Sequence, residues 1–492
     1  MDHEIIIIGA GISGIGAAIM LNKQGMNDLL ILERSNDIGG TWRDNKYPGV
    51  AVDIPSFVYQ YSFEPNPRWT RMFAQGHEIY QYIHHCAKKY DVNKYIRFNA
   101  VVEKIVFNKD NNTWTTYLTD KTELVSRYVI AATGILYNPI IPQIKGQETF
   151  KGESRHTIKW DADFDIKNKN VGIIGTGATA VQVVPAIAPN VKHLTVFQRT
   201  PIWLNPKNDY VFDKEKIEEW TNHPLKYKRK QWRAALWIQG ATWAIQNYKK
   251  LGGNYRKYAE KPPSINLKKQ IQDPELRKKL TPDYAMGCKR PAISSDYFKT
   301  FNRDNVSLIT EGIDRITENG ILTKDGKEIP LDVIIYSTGF KTTEKGNFPN
   351  FKVIGSGTDE LNDFWDKNKY QSYQGVSVPG YPNFFLTSGP FTFGLNWFSM
   401  LETNLHFIIR VIKKAKKDGA TLIDVNHQAH EKHYKMLQER AKNAVQLSPS
   451  CSTSNSYYID KNGDFALGAV FTPFYRWLKV RIANLNGYQF TK

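Results

Sequence analysis

Two glycine-punctuated stretches hold the residues best placed to do chemistry. Gly9-Ala10-Gly11-Ile12-Ser13-Gly14 and Gly175-Thr176-Gly177-Ala178-Thr179-Ala180 share a spacing that turns the chain tightly and brings backbone N–H groups against a pyrophosphate. Each is completed by a residue suited to the sugar end of a nucleotide. Glu33, nineteen residues past Gly14, is a carboxylate able to accept hydrogen bonds from a ribose. The second unit has no acid at the matching place; Arg199 and Thr200 stand there and suit a ribose carrying a 2′-phosphate. Two different dinucleotides are therefore expected, FAD at the first turn and NADPH at the second.

The elements that must position these turns are equally legible. Ile5–Ile8 is a run of β-branched residues typical of a strand buried on both faces, AAIMLNKQG reads as the following helix, and LLIL as the second strand. VGII at 171–174 opens the second unit, its helix stopped by Pro189, with HLTVF as the next strand. Two further strands, YVIAATG at 128–134 and DVIIYSTGF at 332–340, end in small-residue turns where the chain would pass between the nucleotide units. The expected fold class is α/β, with two nested Rossmann-like dinucleotide-binding domains and a helical insert. The FAD-binding domain would comprise 1–142 and 339–492 with its tail, the NADPH-binding domain 143–207 and 285–338, and the insert 208–284.

Between the nucleotide units, the spacings match a known family. GGTWRDNKYPGVAVD contains Gly39-Gly40, Trp42, Tyr47-Pro48-Gly49 and Asp53, and FKGESRHTIKWD contains Phe150, Gly152, His156 and Trp160-Asp161. With these, the chain resembles the type I Baeyer-Villiger monooxygenases, class B flavin-containing monooxygenases, from residue 5 to about 405, including Gln198-Arg199-Thr200, Lys289-Arg290, Ser337-Thr338-Gly339 and Gly389-Pro390. Trp160 followed by Asp161 separates this pattern from the N- and S-oxygenating relatives. The resemblance implies FAD reduced by NADPH, reaction with O2 to a flavin C4a-peroxide, and insertion of one oxygen beside a ketone carbonyl to give an ester or lactone. It implies a catalytic Arg290 oriented by Asp53, and Lys289 meeting the 2′-phosphate with Arg199 and Thr200. An arginine suits the task because it stays charged. The resemblance assigns His156 and Trp160 no direct role in bond making, and they read as fixing the linker between the domains.

The candidate contacts of the flavin nucleotide are Gly9, Gly11, Ser13, Gly14, Glu33, Arg34, Gly40, Thr41, Trp42, Asp53, Tyr59 and Val102. Those of the nicotinamide nucleotide are Gly175 through Ala180, Arg199, Thr200, Lys289 and Arg290. No metal is expected. The substrate would be a small apolar ketone or sulfide, with O2. Oxygenation of sulfides or amines, or an NADPH-oxidising redox sensor, are the alternatives. The tail SNSYYIDKNGDF departs from the Trp-Gly-Asn loop usual in relatives acting on small cyclic ketones and leaves the substrate open. FTFGLNWFSM suits either an apolar pocket or a packed helix start.

The bulk properties set the remaining bounds. A chain of 492 residues exceeds one ordinary core. Its 66 basic against 48 acidic residues give +18, which reads as a Lys-rich solvated surface rather than a dedicated nucleic-acid or membrane-binding one. Cys86, Cys288 and Cys451 are odd in number and far apart, which predicts unpaired thiols, a reducing cytoplasmic location and no disulfide-reductase chemistry. The apolar run 5–21 follows Asp2, His3 and Glu4 and is glycine-broken, unlike a signal peptide or a membrane span. Residues 224–261 carry ten basic residues, one acidic and seven Tyr or Trp. Their apolar centre, Ala234 to Tyr248, predicts a buried helix walling the substrate entrance, with peripheral membrane contact as the alternative.

Overall fold

A computed structural model describes residues 1–357, 359–460 and 462–492. Two sheets carry the architecture, and one is nested within the other along the chain. The larger sheet orders its strands Lys352–Ile354, Val102–Asn108, Thr113–Leu118, Glu123–Ala131, His3–Ile8, Leu29–Leu32 and Ile96–Arg97, with Phe384–Leu386 also paired to Glu123–Ala131. Its nucleotide-binding side is parallel, Ile7 lying opposite Ile31 and Ile130, while Val102–Ala131 forms an antiparallel meander. The smaller sheet is wholly parallel, in the order Val306–Ile309, His193–Phe197, Asn170–Ile174, Val333–Tyr336 and Glu153–His156.

The four isoleucines of the first strand divide by alternation. Ile5 and Ile7 enter one apolar cluster and Ile6 and Ile8 another, so the strand is covered on both faces, each side chain contributing about 1.5–3 kcal/mol of burial. The same two-sided burial explains why the run is continuous rather than alternating.

The two chain crossings between the sheets are zipped together. Ile140 N–H donates to Gly339 O at 2.9 Å, Lys341 N–H donates to Asn138 O at 2.9 Å, and the Thr338 hydroxyl donates to Ile140 O. Their pairing places the ends of Glu123–Ala131 and Val333–Tyr336 side by side, at the carboxyl edges where nucleotides bind such sheets.

Two expectations are corrected. Cys288 and Cys451 are joined in a disulfide across 163 residues, and Cys86 alone is a free, buried thiol. Pairing depends on where the 285–290 and 445–452 segments meet in space, which cysteine spacing does not encode. The helix Pro224–Gln246 is likewise not buried on most faces. Its inward face is Tyr227, Ala234, Ile238, Thr242 and Gln246, while Trp232, Leu236, Trp237 and Trp243 stand exposed. An apolar sequence fixes neither how many faces of a helix find neighbours nor which.

Candidate active site

The first glycine turn opens onto a long, solvent-open cleft whose lining runs from both strands of the first nucleotide unit to Trp397, a reach suited to a large ligand. Gly9, Gly11, Ser13, Glu33, Arg34, Gly40, Thr41, Trp42, Tyr59 and Val102 all line it. Gly14 acts from behind: a Cβ there would fall 1.8 Å from Gly9 O, so the helix Ile12–Asn22 can seat against the turn only with glycine. That helix has Gly11 as its N-cap and no side-chain cap, which leaves first-turn N–H groups for a phosphate. Glu33 is buried at 4 % exposure, and its carboxylate accepts from Ala10 N–H at 2.8 Å, Ser35 N–H at 3.0 Å and Arg43 Nη1 at 3.2 Å. It is thus fixed in place at the cleft wall. The buried Tyr137 hydroxyl, which has no partner among the described residues, also faces this region as part of the lining. These features fit an FAD.

Sequence reasoning missed Trp397, Asn350, Phe351 and the 133–137 segment of the lining. Trp397 was legible only as part of FTFGLNWFSM. Asn396 caps the helix Trp397–Asp418, accepting from Phe398 N–H at 3.0 Å, and this delivers the Trp397 indole to Ser13 Oγ at 3.2 Å. The run is both a helix start and a wall of the cleft.

At the second turn Gly175 has φ +109° and a Cβ there would meet Ser337 O at 2.4 Å, the close approach that demands glycine. Gly177 caps the helix Ala178–Ile187, again without a side-chain cap, and a Cβ on it would meet nothing within 4 Å. The opening fits a phosphate. Thr176 Oγ1 donates to Thr200 O at 2.7 Å, tying turn to strand end, and Asn455 from the tail reaches Thr200 Oγ1 at 3.5 Å. Arg199 is exposed beside Lys289, whose amine is pushed down to about 8 by burial and then by the Arg199 charge. Two cations held together against their own repulsion suit a 2′-phosphate.

Arg290 and Asp53, 237 residues apart, form a two-point ion pair, Nε to Oδ2 at 2.8 Å and Nη2 to Oδ1 at 2.9 Å. Nη2 also donates to Leu395 O at 3.1 Å, two residues before Trp397. Burial, the largest single influence, would lower the Arg290 pKa, but the Asp53 charge and hydrogen bond, with Tyr457 and Tyr458, together outweigh it and raise it above its ordinary value, so the guanidinium is permanently charged. Neither Asp53 nor Arg290 is part of the cleft lining; the pair stands beside it, bonded to the Leu395 carbonyl two residues before the lining residue Trp397. Burial, with the Asp53 charge as a smaller contribution, raises the Tyr59 pKa. The ring packs edge-on against Trp42 at 5.5 Å.

The 39–53 segment also joins the two units. The Tyr47 hydroxyl, pushed up to about 12 by burial, donates to Gln182 Oε1 at 3.0 Å, and Gln182 Nε2 donates to Ala51 O at 2.9 Å. In the 150–161 signature Phe150, His156 and Trp160 pack, while Asp161 is exposed and meets Arg155 at 3.4 Å. Gly152 lies where a Cβ would meet Asp332 O at 2.3 Å, and Trp160 sits edge-on to Phe164 at 5.0 Å. His156, 2 % exposed, contacts Gly339 O through Nε2 at 3.1 Å and accepts from Ile158 N–H through Nδ1 at 3.3 Å. Those partners assign the neutral tautomer with Nε2 as donor, and burial lowers its pKa to match.

The disulfide does not revive reductase chemistry. Neither cysteine lines the flavin cleft, and Cys288 packs with Trp203, Tyr255 and Tyr284. Its consequence is to tie the tail to the residue preceding Lys289-Arg290. Among the described residues no group of His, Cys, Asp or Glu could hold a metal ion, and no helix is long and apolar enough to cross a membrane.

Fold and site together define a flavoprotein oxidoreductase with separate flavin and nicotinamide nucleotide sites. The family described as pyridine nucleotide-disulphide oxidoreductase matches residues 6–250. A Baeyer-Villiger monooxygenase of Pseudomonas aeruginosa is 36% identical over 465 residues, covering 93% of this chain and 85% of the relative. One from Streptomyces coelicolor is 34% identical, covering 94% and 88%. The crystal structure of an OTEMO complex with FAD and NADP superposes with TM-score 0.87 at 28% identity over 99% of both chains. The chain belongs to the Baeyer-Villiger monooxygenase family, and it is an FAD- and NADPH-dependent monooxygenase.

Proposed function

We propose that this enzyme inserts one atom of O2 beside the carbonyl of a small apolar ketone, giving an ester or lactone. The observation that supports it most is the Arg290–Asp53 pair, which presents a fixed cation beside the cleft bearing Trp397 and Tyr59. Bound FAD, reduced by NADPH, supplies the oxygen-activating chemistry. The chain's task is to bind, orient and stabilise charge. Glu33 and the Ile12–Asn22 N-terminus hold the flavin nucleotide, and Arg199, Thr200 and Lys289 hold the 2′-phosphate. Arg290 stabilises negative charge developing on the substrate oxygen without donating a proton, and Asp53 aims it. Trp42, Tyr59 and Trp397 keep water from the reacting atoms.

The proposed division of labour follows the nested sheets: 1–142 with 339–492 for FAD, 143–207 with 285–338 for NADPH, and 208–284 as the insert. The need for intracellular NADPH supports a cytoplasmic setting. The test is NADPH consumption with linear, cyclic and aryl ketones and with sulfides, product mass and peroxide release being followed together. Esters from ketones are expected. Oxygenated sulfides with no ester from any ketone, or peroxide alone, would overturn the reading.

A further inference from the structure

Ten of the twenty exposed large apolar residues of the described chain lie on just two helices, Pro224–Gln246 and Pro473–Ile482. On the first, Leu225, Trp232, Leu236 and Trp243 are 77 %, 63 %, 70 % and 48 % exposed and recur at intervals of seven, four and seven, one continuous stripe. On the second, Phe474, Leu478 and Ile482 recur every four residues, with Trp477 between them, all 40 % exposed or more. The stripes are neighbours. Gln239, three residues from Leu236 and four from Trp243, accepts from Phe474 N–H at 3.1 Å, so the second helix begins alongside the first stripe. Monomeric proteins rarely leave a contiguous apolar face of this extent to water.

The flanks of the face are cationic. Arg229 and Arg233 sit one turn from the stripe residues, on the side away from Gln239, and Lys228 lies 5.8 Å from the Trp232 ring. Arg481 lies over the Trp477 ring at 4.0 Å. Among the described residues, none of these four forms an ion pair with a carboxylate, whereas Lys226 nearby is taken by Glu219. We propose that these two helices dock the enzyme on an anionic phospholipid surface, the Trp and Leu side chains entering the acyl boundary and the Arg and Lys side chains meeting lipid phosphates. Charge complementarity selects this occupant. A second copy of the chain would bring the same positive rim and the same +18 against itself.

Neither helix supplies a residue to the nucleotide sites, so docking and catalysis are separable. The experiment is co-sedimentation of the FAD-loaded enzyme with phosphatidylcholine vesicles and with phosphatidylcholine–phosphatidylserine vesicles, at low and high salt. Binding to the anionic vesicles that weakens with salt is expected. Arg229→Gln with Arg233→Gln should weaken it ~30-fold, and Trp232→Ser with Leu236→Ser should abolish insertion, both with ketone-dependent NADPH oxidation unchanged. For the unsubstituted protein, quenching of tryptophan fluorescence by brominated acyl chains gives a reading independent of how the variants fold. Equal binding to both vesicle types, no binding and no quenching, or a dimer seen by light scattering that the same substitutions disperse, would each overturn the proposal.

Discussion

The two dinucleotide turns are built alike as far as the end of their second strands and then part in charge. Both begin on a strand buried on two faces, both use a positive-φ glycine wedged against a neighbouring strand end, and both leave a helix N-terminus without a side-chain cap. After Leu29–Leu32 comes Glu33, buried and locked by three donors; after His193–Phe197 come buried Gln198 and exposed Arg199, crowded by Lys289. On the proposed assignment, the glycine turn sets where a pyrophosphate would lie, while the strand end sets which ribose would follow it. Rigidity also differs. A carboxylate that would hold a resident cofactor is buried and held by three donors, whereas of the two cations that would meet an exchanging one Arg199 is exposed and Lys289 half-buried.

Several substitutions would break or sharpen this contrast. Gly14→Val has the largest expected effect, since its Cβ would overlap Gly9 O, and the variant should purify without flavin absorbance. Glu33→Gln should weaken FAD retention by about 10- to 100-fold, the worth of charged hydrogen bonds, measured by flavin release on dilution. Arg199→Ala should raise the KM for NADPH about tenfold and leave that for NADH unchanged, which steady-state kinetics with both cofactors would read. Lys289 adds a pH signature. Its amine is charged below about pH 8 and neutral above, so the KM for NADPH should climb as pH rises through 8, and Lys289→Gln should flatten that climb. The smallest effect concerns the joint between the units. His156→Ala removes the bond to Gly339 O and should slow flavin reduction by NADPH ~3-fold, with His156→Gln restoring part of it. Unchanged reduction and coupling in the alanine variant would leave His156 without a positioning role.

How far the sequence was legible follows from what each feature depends on. The nested α/β fold and the glycine turns rest on local spacing, so Gly9, Gly11, Glu33, Gly175 and Gly177 are legible in the sequence as parts of strand–turn–helix units. Arg290 and Asp53 were reached through family spacing, and their bidentate contact bears on the chemistry as no local pattern could. Trp397, Asn350 and Asn455 were missed because their place in the site is decided by tertiary packing after long intervening segments. The Cys288–Cys451 pair and the exposed face of Pro224–Gln246 were misread for the same reason: partners distant in sequence decide both.

The central claim is that a fixed Arg290 cation turns this two-nucleotide flavoprotein into an oxygen-inserting enzyme. Turnover of a ketone under ¹⁸O₂ with wild type and Arg290→Ala, each loaded with FAD and supplied with NADPH, tests it most directly. The account predicts one labelled oxygen in the wild-type ester, and for the variant bound flavin, continued NADPH oxidation with peroxide release and no ester. Labelled ester from Arg290→Ala, or unlabelled ester from the wild type, would contradict it.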